Sequence, residues 1–186
     1  MIDLVLAKEL GIVVSNQPGR TAPVVAEHMF GLMFALSKRA HFQTAELKAG
    51  RWTRRMNTML QKKVLGIVGT GAIGAEMARL GRAIGMEVIA WTFNPSPERA
   101  RALGVRFVEL DELLSTADVV SLHVKLTPDS HHLIGAGELA RMKEGALLLN
   151  GARGDVLDID ALCASLHAGH VGGAGLDVFP QEPLPD

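Results

Sequence analysis

From Val64 onward the chain alternates short apolar runs with helical patterns, and no other feature limits its possible folds as strongly. Val64–Val68, Glu87–Trp91, Val105–Val108, Asp118–Leu122, Ala146–Asn150 and Gly172–Leu176 read as strands. Between them Ile73–Ile84, Pro97–Leu103, Leu110–Ser115, Gly137–Met142 and Ile159–His167 read as helices, the first with one apolar stripe of Ile73, Met77, Leu80 and Ile84. Such alternation calls for a parallel sheet covered on both faces. The expected fold is a doubly wound α/β domain.

The residues before Val64 follow a different pattern. Leu4–Leu10 looks like the end of a helix, Ile12–Ser15 like a strand, and Asn16-Gln17-Pro18-Gly19 like a turn. Thr21 can cap a helix that has Pro23 in its first turn and runs to about Ala40. That helix carries two stripes: Val25, Met29, Leu32 and Leu36 on one, Ala26, Phe30, Met33 and Phe34 on the other. One stripe can lie on the domain, and the second asks for another partner. A homodimer through helix 22–40 is the expectation, since Met and aromatic side chains are enriched in subunit contacts.

Bulk properties exclude several classes of function. A hydrophobic share of 48% over 186 residues supports a real core and argues against disorder. A formal net charge of −1 without a long basic run argues against a nucleic-acid partner. The single cysteine, Cys163, rules out an intrachain disulfide framework and fits a reducing compartment. The start of the chain has no signal-peptide pattern, and Val24–Leu36, interrupted by Glu27 and His28, is too short for a membrane span. A cytoplasmic protein is expected.

The chemistry begins where Val64–Val68 runs into Gly69-Thr70-Gly71-Ala72-Ile73-Gly74 and then into an amphipathic helix. Gly69 permits a tight turn, Gly71 lets the backbone approach a pyrophosphate, and Gly74 lets helix and strand pack closely. Free N–H groups at the helix start would face the anion. Glycines at this spacing are weak evidence alone, but the strand–turn–helix setting is the one the motif requires. A Rossmann-like site for a dinucleotide, NAD, follows.

The second strand should deliver an acid to the adenosine ribose, yet the residue after Trp91 is Thr92. A threonine neither chelates both ribose hydroxyls nor repels a 2′-phosphate, so NADP is possible beside NAD. Arg99 and Arg101 follow on a helix, where a solvated face is the expected role.

Three further stretches resemble the D-isomer-specific 2-hydroxyacid dehydrogenases. They are Leu122-His123-Val124-Lys125-Leu126-Thr127-Pro128, Asn150-Gly151-Ala152-Arg153-Gly154, and Leu176-Asp177-Val178-Phe179-Pro180-Gln181-Glu182-Pro183. Their order after the glycine turn matches too, as does Ala26-Glu27-His28 on the long helix. The resemblance implies hydride transfer with NAD(H) between a 2-oxo acid and a D-2-hydroxy acid. On it, Arg153 grips the substrate carboxylate and carbonyl, for which a planar fork of donors is suited. Glu182 resembles the glutamate that holds a catalytic histidine protonated, and Asp177 the aspartate that accepts from the nicotinamide carboxamide. Ala72 and Ile73 fall at the pyrophosphate, and Val124, Lys125, Ser130, Gly151 and Ala152 at further cofactor positions.

The chain departs from the family pattern in places. Lys125 stands where proline is usual and Ala72 where arginine is common, which implies altered cofactor affinity. On the resemblance, residues 1–18 are the remnant of a substrate domain and 19–186 the dinucleotide-binding domain. The histidine that works with Glu182 would lie beyond Asp186, so the chain is expected to be an inactive fragment that keeps its cofactor site.

The chain's own histidines do not replace it in this reading. His123 matches a family position that is not the acid/base, His28 lies on the long helix, and His131 and His132 lie in a loop. Cys163, His167 and His170 superficially suggest zinc but lack a fourth ligand, so a core cysteine with solvated histidines is expected and no metal. The alternative to an enzyme is a dinucleotide-sensing, corepressor-like interaction module, since the fold hosts both. Arg153 together with Glu182 favours the enzyme.

Overall fold

The computed structural model describes residues 2–17 and 19–184. Six strands form one parallel sheet: β1 (Val64–Val68), β2 (Glu87–Trp91), β3 (Arg106–Phe107), β4 (Val119–Leu122), β5 (Leu147–Asn150) and β6 (Gly173–Leu176). Their order across the sheet is β3-β2-β1-β4-β5-β6. The direction of winding reverses between β1 and β4, where open α/β sheets bind ligands.

The helices are α1 (Leu4–Glu9), α2 (Ala22–Ser37), α3 (Ala40–Lys48), α4 (Ala72–Ala83), α5 (Pro97–Leu103), α6 (Leu110–Thr116), α7 (Ala136–Arg141) and α8 (Ile159–His167). The two faces of β1 show why the core divides. Leu65 and Ile67 join Met29, Met33 and Met77 of α2 and α4 in one buried cluster. Val68 joins Leu113, Leu139 and Leu162 of α6, α7 and α8 in the other. Between them Gly66 faces α6 so closely that a Cβ would stand 2.6 Å from Leu113 Cδ2.

Strand register aligns the functional edge. Val68 pairs with both Trp91 and Leu122, Leu122 with Asn150, and Asn150 with Leu176. The next residue on each strand is therefore Thr92, Gly69, His123, Gly151 and Asp177, one row along the C-terminal edge of the sheet.

Before β1 the structure corrects three expectations. Ile12–Ser15 joins no strand among the described residues, and Val13 is 91% exposed; an extended segment without a neighbour has no ladder to form. Pro18 of the expected turn lies outside the described residues. The long helix stops at Ser37, because Arg39 adopts a left-handed φ of 51°, and α3 starts anew at Ala40. Thr21 makes no side-chain capping bond, although Pro23 does sit in the first turn.

The two stripes of α2 are also covered differently. Ala26, Met29, Phe30 and Met33 are all buried within the chain itself. Leu32 and Leu36 pack onto the glycines of β6: a Cβ on Gly175 would stand 3.0 Å from Leu32 Cβ. A helix lying in the angle between α4 and the sheet is contacted on two sides, so all of its second stripe but Phe34 is covered within the chain. Val24 and Phe34 are what remain exposed of its large apolar side chains. Among the described residues no helix is long and apolar enough to cross a membrane.

Candidate functional site

A cleft of about 620 Å³ opens along the row of strand ends. Gly71, Ala72 and Ile73 form one wall, and Val124 and Lys125 after β4 another. Gly151, Ala152 and Arg153 after β5 close it. Among the described residues the lining holds two cations, Lys125 and Arg153, and no carboxylate, which suits an anionic ligand.

The glycine turn works through three different constraints. Gly69 has φ 97°, open to glycine at little cost, and a Cβ there would stand 2.8 Å from the Val124 amide. Gly74 packs so tightly that a Cβ would collide with the Gly69 carbonyl. At Gly71 a Cβ would meet nothing within 4 Å, so the chain leaves space where a phosphate must approach. Gly71 precedes α4, whose first turn has no side-chain cap, leaving N–H groups free to bind an anion.

Two orphaned polar atoms flank this switch point. Thr70 Oγ1 and His123 Nδ1 are buried and have no hydrogen-bond partner among the described residues. Such groups are costly unless something satisfies them. His123 Nε2 lies 2.8 Å from Ser121 Oγ, and burial pushes the imidazole down to about 4. The ring is therefore neutral near pH 7. Together with the open face of Gly71, these atoms fit a dinucleotide.

The Arg153 turn is built by Asn150, which is fully buried. Its Oδ1 accepts from the Ala152 amide at 3.0 Å and its Nδ2 donates to the Arg153 carbonyl at 3.0 Å. The Arg153 guanidinium donates to the Ala152 carbonyl at 2.6 Å. At Gly154 a Cβ would collide with the Phe179–Pro180 backbone, so this glycine brings the Arg153 turn against the segment carrying Glu182. Glu182 Oε1 accepts from the Phe179 amide at 2.9 Å. Asp177 Oδ1 lies 3.2 Å from His28 Nε2 of α2.

Not every expected residue lines the cleft. Ser130 is fully buried, and its hydroxyl donates to the Lys125 carbonyl at 2.6 Å while accepting from the Thr127 amide at 2.8 Å. It holds the 125–130 loop in shape, because a short polar side chain inside a tight turn bonds its own backbone first. Thr92 lies in a neighbouring depression with Trp91, Phe93 and Glu109. Arg99 is not simply solvated: its Nη2 donates to the Thr70 carbonyl at 2.9 Å, tying α5 to the glycine turn. Gly19, Thr21 and Ala22 line the cleft without any sequence signal for it; Gly19 would place a Cβ 3.7 Å from Ala72 Cβ.

The cysteine expectation is also corrected. Cys163 is exposed, and His167 turns its Nδ1 to the Cys163 carbonyl at 2.8 Å rather than towards a shared ion. His131, His132 and Asp155 do place ligand atoms within 4.8 Å of one another. The two imidazoles, however, stack 4.1 Å apart at 26°. Lone pairs lie in the ring planes, so nearly parallel rings do not converge on one ion.

Residues 30–186 match the family model described as "D-isomer specific 2-hydroxyacid dehydrogenase, NAD binding domain". The chain is 42% identical over 187 residues to a hydroxypyruvate reductase of Thermotoga maritima, covering 100% of this chain and 60% of that protein. It is 40% identical over 185 residues to a D-3-phosphoglycerate dehydrogenase of Synechocystis sp., covering 98% and 33%. Among solved structures, a protein from Thermus thermophilus superposes with a TM-score of 0.91 at 41% identity, covering 99% of this chain and 59% of that one. A D-lactate dehydrogenase from Aquifex aeolicus complexed with NAD and lactic acid gives 0.86 at 37%, covering 97% and 55%. The chain thus spans between a third and three fifths of the length of these relatives. It belongs to the D-isomer specific 2-hydroxyacid dehydrogenase family, whose NAD-binding domain it carries.

Proposed function

We propose that this protein interconverts a 2-oxo acid and a D-2-hydroxy acid with NAD(H). The observation that carries the reading is Arg153 in the same cleft as the glycine turn, on a carboxylate-free lining. Relatives include a hydroxypyruvate reductase, a glyoxylate reductase and a D-3-phosphoglycerate dehydrogenase, all acting on acids of this class by their names.

The dinucleotide, when bound, supplies or accepts the hydride. The chain's residues do the rest. Gly69, Gly71, Ala72, Ile73 and Gly74 hold the pyrophosphate against the α4 amides, and Val124, Lys125, Gly151 and Ala152 line the path to the nicotinamide. Asp177 accepts from the carboxamide. Arg153 exchanges the Ala152 carbonyl for the substrate carboxylate and polarises the 2-oxo group, drawing charge onto its oxygen. Glu182 keeps one oxygen on the Phe179 amide and offers the other to the histidine that protonates that oxygen. Residues 1–18 belong on this reading to the substrate-side unit, and residues 19–186 to the cofactor-binding one. Thr92 and Arg99 admit NADP beside NAD.

Self-association is proposed through what α2 leaves uncovered. Val24 and Phe34 are exposed, as are Leu47, Trp52 and Met56 of the α3 region. Aspartate at Phe34 and Met56 together should shift sedimentation towards a monomer with far-UV dichroism intact. A parent chain already monomeric at micromolar concentration would overturn this.

The activity test is oxidation of NADH with glyoxylate, hydroxypyruvate, pyruvate and phenylpyruvate, comparing a protein that carries this chain together with the histidine partner of Glu182 with its Arg153→Ala variant. Loss of several powers of ten in kcat/KM is expected in the variant. Turnover that survives Arg153→Ala unchanged would sink the assignment.

A further inference from the structure

The helix α2 crosses the C-terminal edge of the sheet, and two adjacent residues on it serve different strands. Met29 is fully buried over β5, where a Cβ on Gly151 would stand 2.5 Å from its sulfur. His28 reaches Asp177, the residue after β6, with Nε2 3.2 Å from Oδ1. The main chain of Asp177 is fixed by its own amide, which donates to the Asn150 carbonyl at 3.0 Å. Its side chain is held only by His28: among the described residues no Lys, Arg or other His pairs with it. Side chains of both residues are about half exposed, at 51% and 44%.

We propose that His28 is a positioning residue for the nicotinamide end of the cofactor. Its Nε2–H donates to Asp177 Oδ1 and leaves Oδ2 free to accept from the carboxamide. A carboxylate on a one-carbon stem otherwise rotates about two torsions, and ordering it on binding opposes affinity. A donor already in place on one oxygen removes that penalty before the ligand arrives. The contact also ties α2 to the cofactor site, since the same helix begins at the cleft with Thr21 and Ala22. This inference rests on Asp177 being the carboxamide acceptor.

The test compares two ligands that differ at the nicotinamide end. NADH carries the carboxamide, and ADP-ribose carries the rest of the binding determinants without the nicotinamide. Calorimetry on the full chain should show His28→Leu weakening NADH by about threefold to fivefold, as fits a partly exposed hydrogen bond to a carboxylate. ADP-ribose affinity should stay unchanged. His28→Gln, which keeps a donor near the Nε2 position, should restore NADH binding. In an Asp177→Leu background the His28→Leu change should have no further effect.

The failures are distinguishable. An unchanged NADH to ADP-ribose ratio in Asp177→Leu overturns Asp177 as the carboxamide acceptor. A ratio that moves in Asp177→Leu but not in His28→Leu overturns the role of His28 alone. Equal weakening of both ligands in His28→Leu shows a purely structural residue and overturns it as well. Should His28→Leu fail to fold, His28→Ala reads the same ratio.

Discussion

The Asn150 amide spans the Arg153 turn, accepting from the Ala152 amide with one atom and donating to the Arg153 carbonyl with the other, each at 3.0 Å. Both bonds are inside the protein, and Asn150 itself is fully buried. A primary carboxamide presents a donor and an acceptor in one plane, which an ionised aspartate of the same size does not.

Asn150→Leu should therefore leave the Ala152 amide unpaired and the Arg153 carbonyl with only the Val156 amide, 3.3 Å away. A loss of about 1 to 3 kcal/mol is expected, since an unsatisfied buried group costs its desolvation. Urea titration should show a lower midpoint with an unchanged slope. An unchanged midpoint would mean the turn holds without Asn150.

Two glycines of one motif should fail in opposite ways. Gly71 faces open space, so Gly71→Val should keep the melting temperature within a few degrees and abolish NADH binding. Gly74 abuts the Gly69 carbonyl, so Gly74→Val should unfold or severely destabilise the chain. Calorimetry with thermal melts separates the two. NADH bound equally by Gly71→Val and the parent would remove the pyrophosphate from this turn.

Cofactor choice should respond at Thr92. Thr92→Asp should raise the preference for NADH over NADPH about tenfold or more, by chelating the ribose and repelling a 2′-phosphate. Arg99→Ala should weaken NADPH more than NADH, because Arg99 is held beside the glycine turn by the Thr70 carbonyl. A ratio that neither change moves would place the ribose elsewhere.

His123 predicts a pH dependence with a definite sign. Its imidazole has an ordinary value of 6.5 and burial lowers it in the fold to about 4. The unfolded chain then binds more protons between those values, so folding stability rises with pH across that window. The contribution is complete above about pH 6.5 and is lost as pH falls towards 4, up to about 3 kcal/mol. His123→Gln should flatten that part of the curve in urea titrations between about pH 7.5 and pH 4.5. Parallel curves for the two proteins would show that His123 is not buried neutral.

Periodicity alone located all six strands and the helices from α4 to α8, with no end shifted by more than one residue. Two helices, Pro97–Leu103 and Ile159–His167, begin and end where expected. Local patterns of apolar side chains report which face of an element is buried, and that much is written in the chain order. The glycine turn was legible for the same reason: its constraints on Gly69 and Gly74 come from residues close in sequence or on the adjoining strand.

Tertiary structure decided what lies between elements distant along the chain. The burial of Ala26, Met29, Phe30 and Met33 and the packing of Leu32 and Leu36 depend on α4, β5 and β6, none of which periodicity can place against α2. Whether a hydroxyl or cation faces ligand or its own backbone is likewise a matter of loop geometry. Ser130 turned inward to Lys125, and Arg99 turned back to Thr70. The meeting of His28 with Asp177 joins residues 28 and 177 through the crossing of a helix over a strand end. Sequence determined the elements and the row of residues at their ends; packing decided which side chains in that row are free to meet a ligand, because contacts across the sheet edge have no local signature.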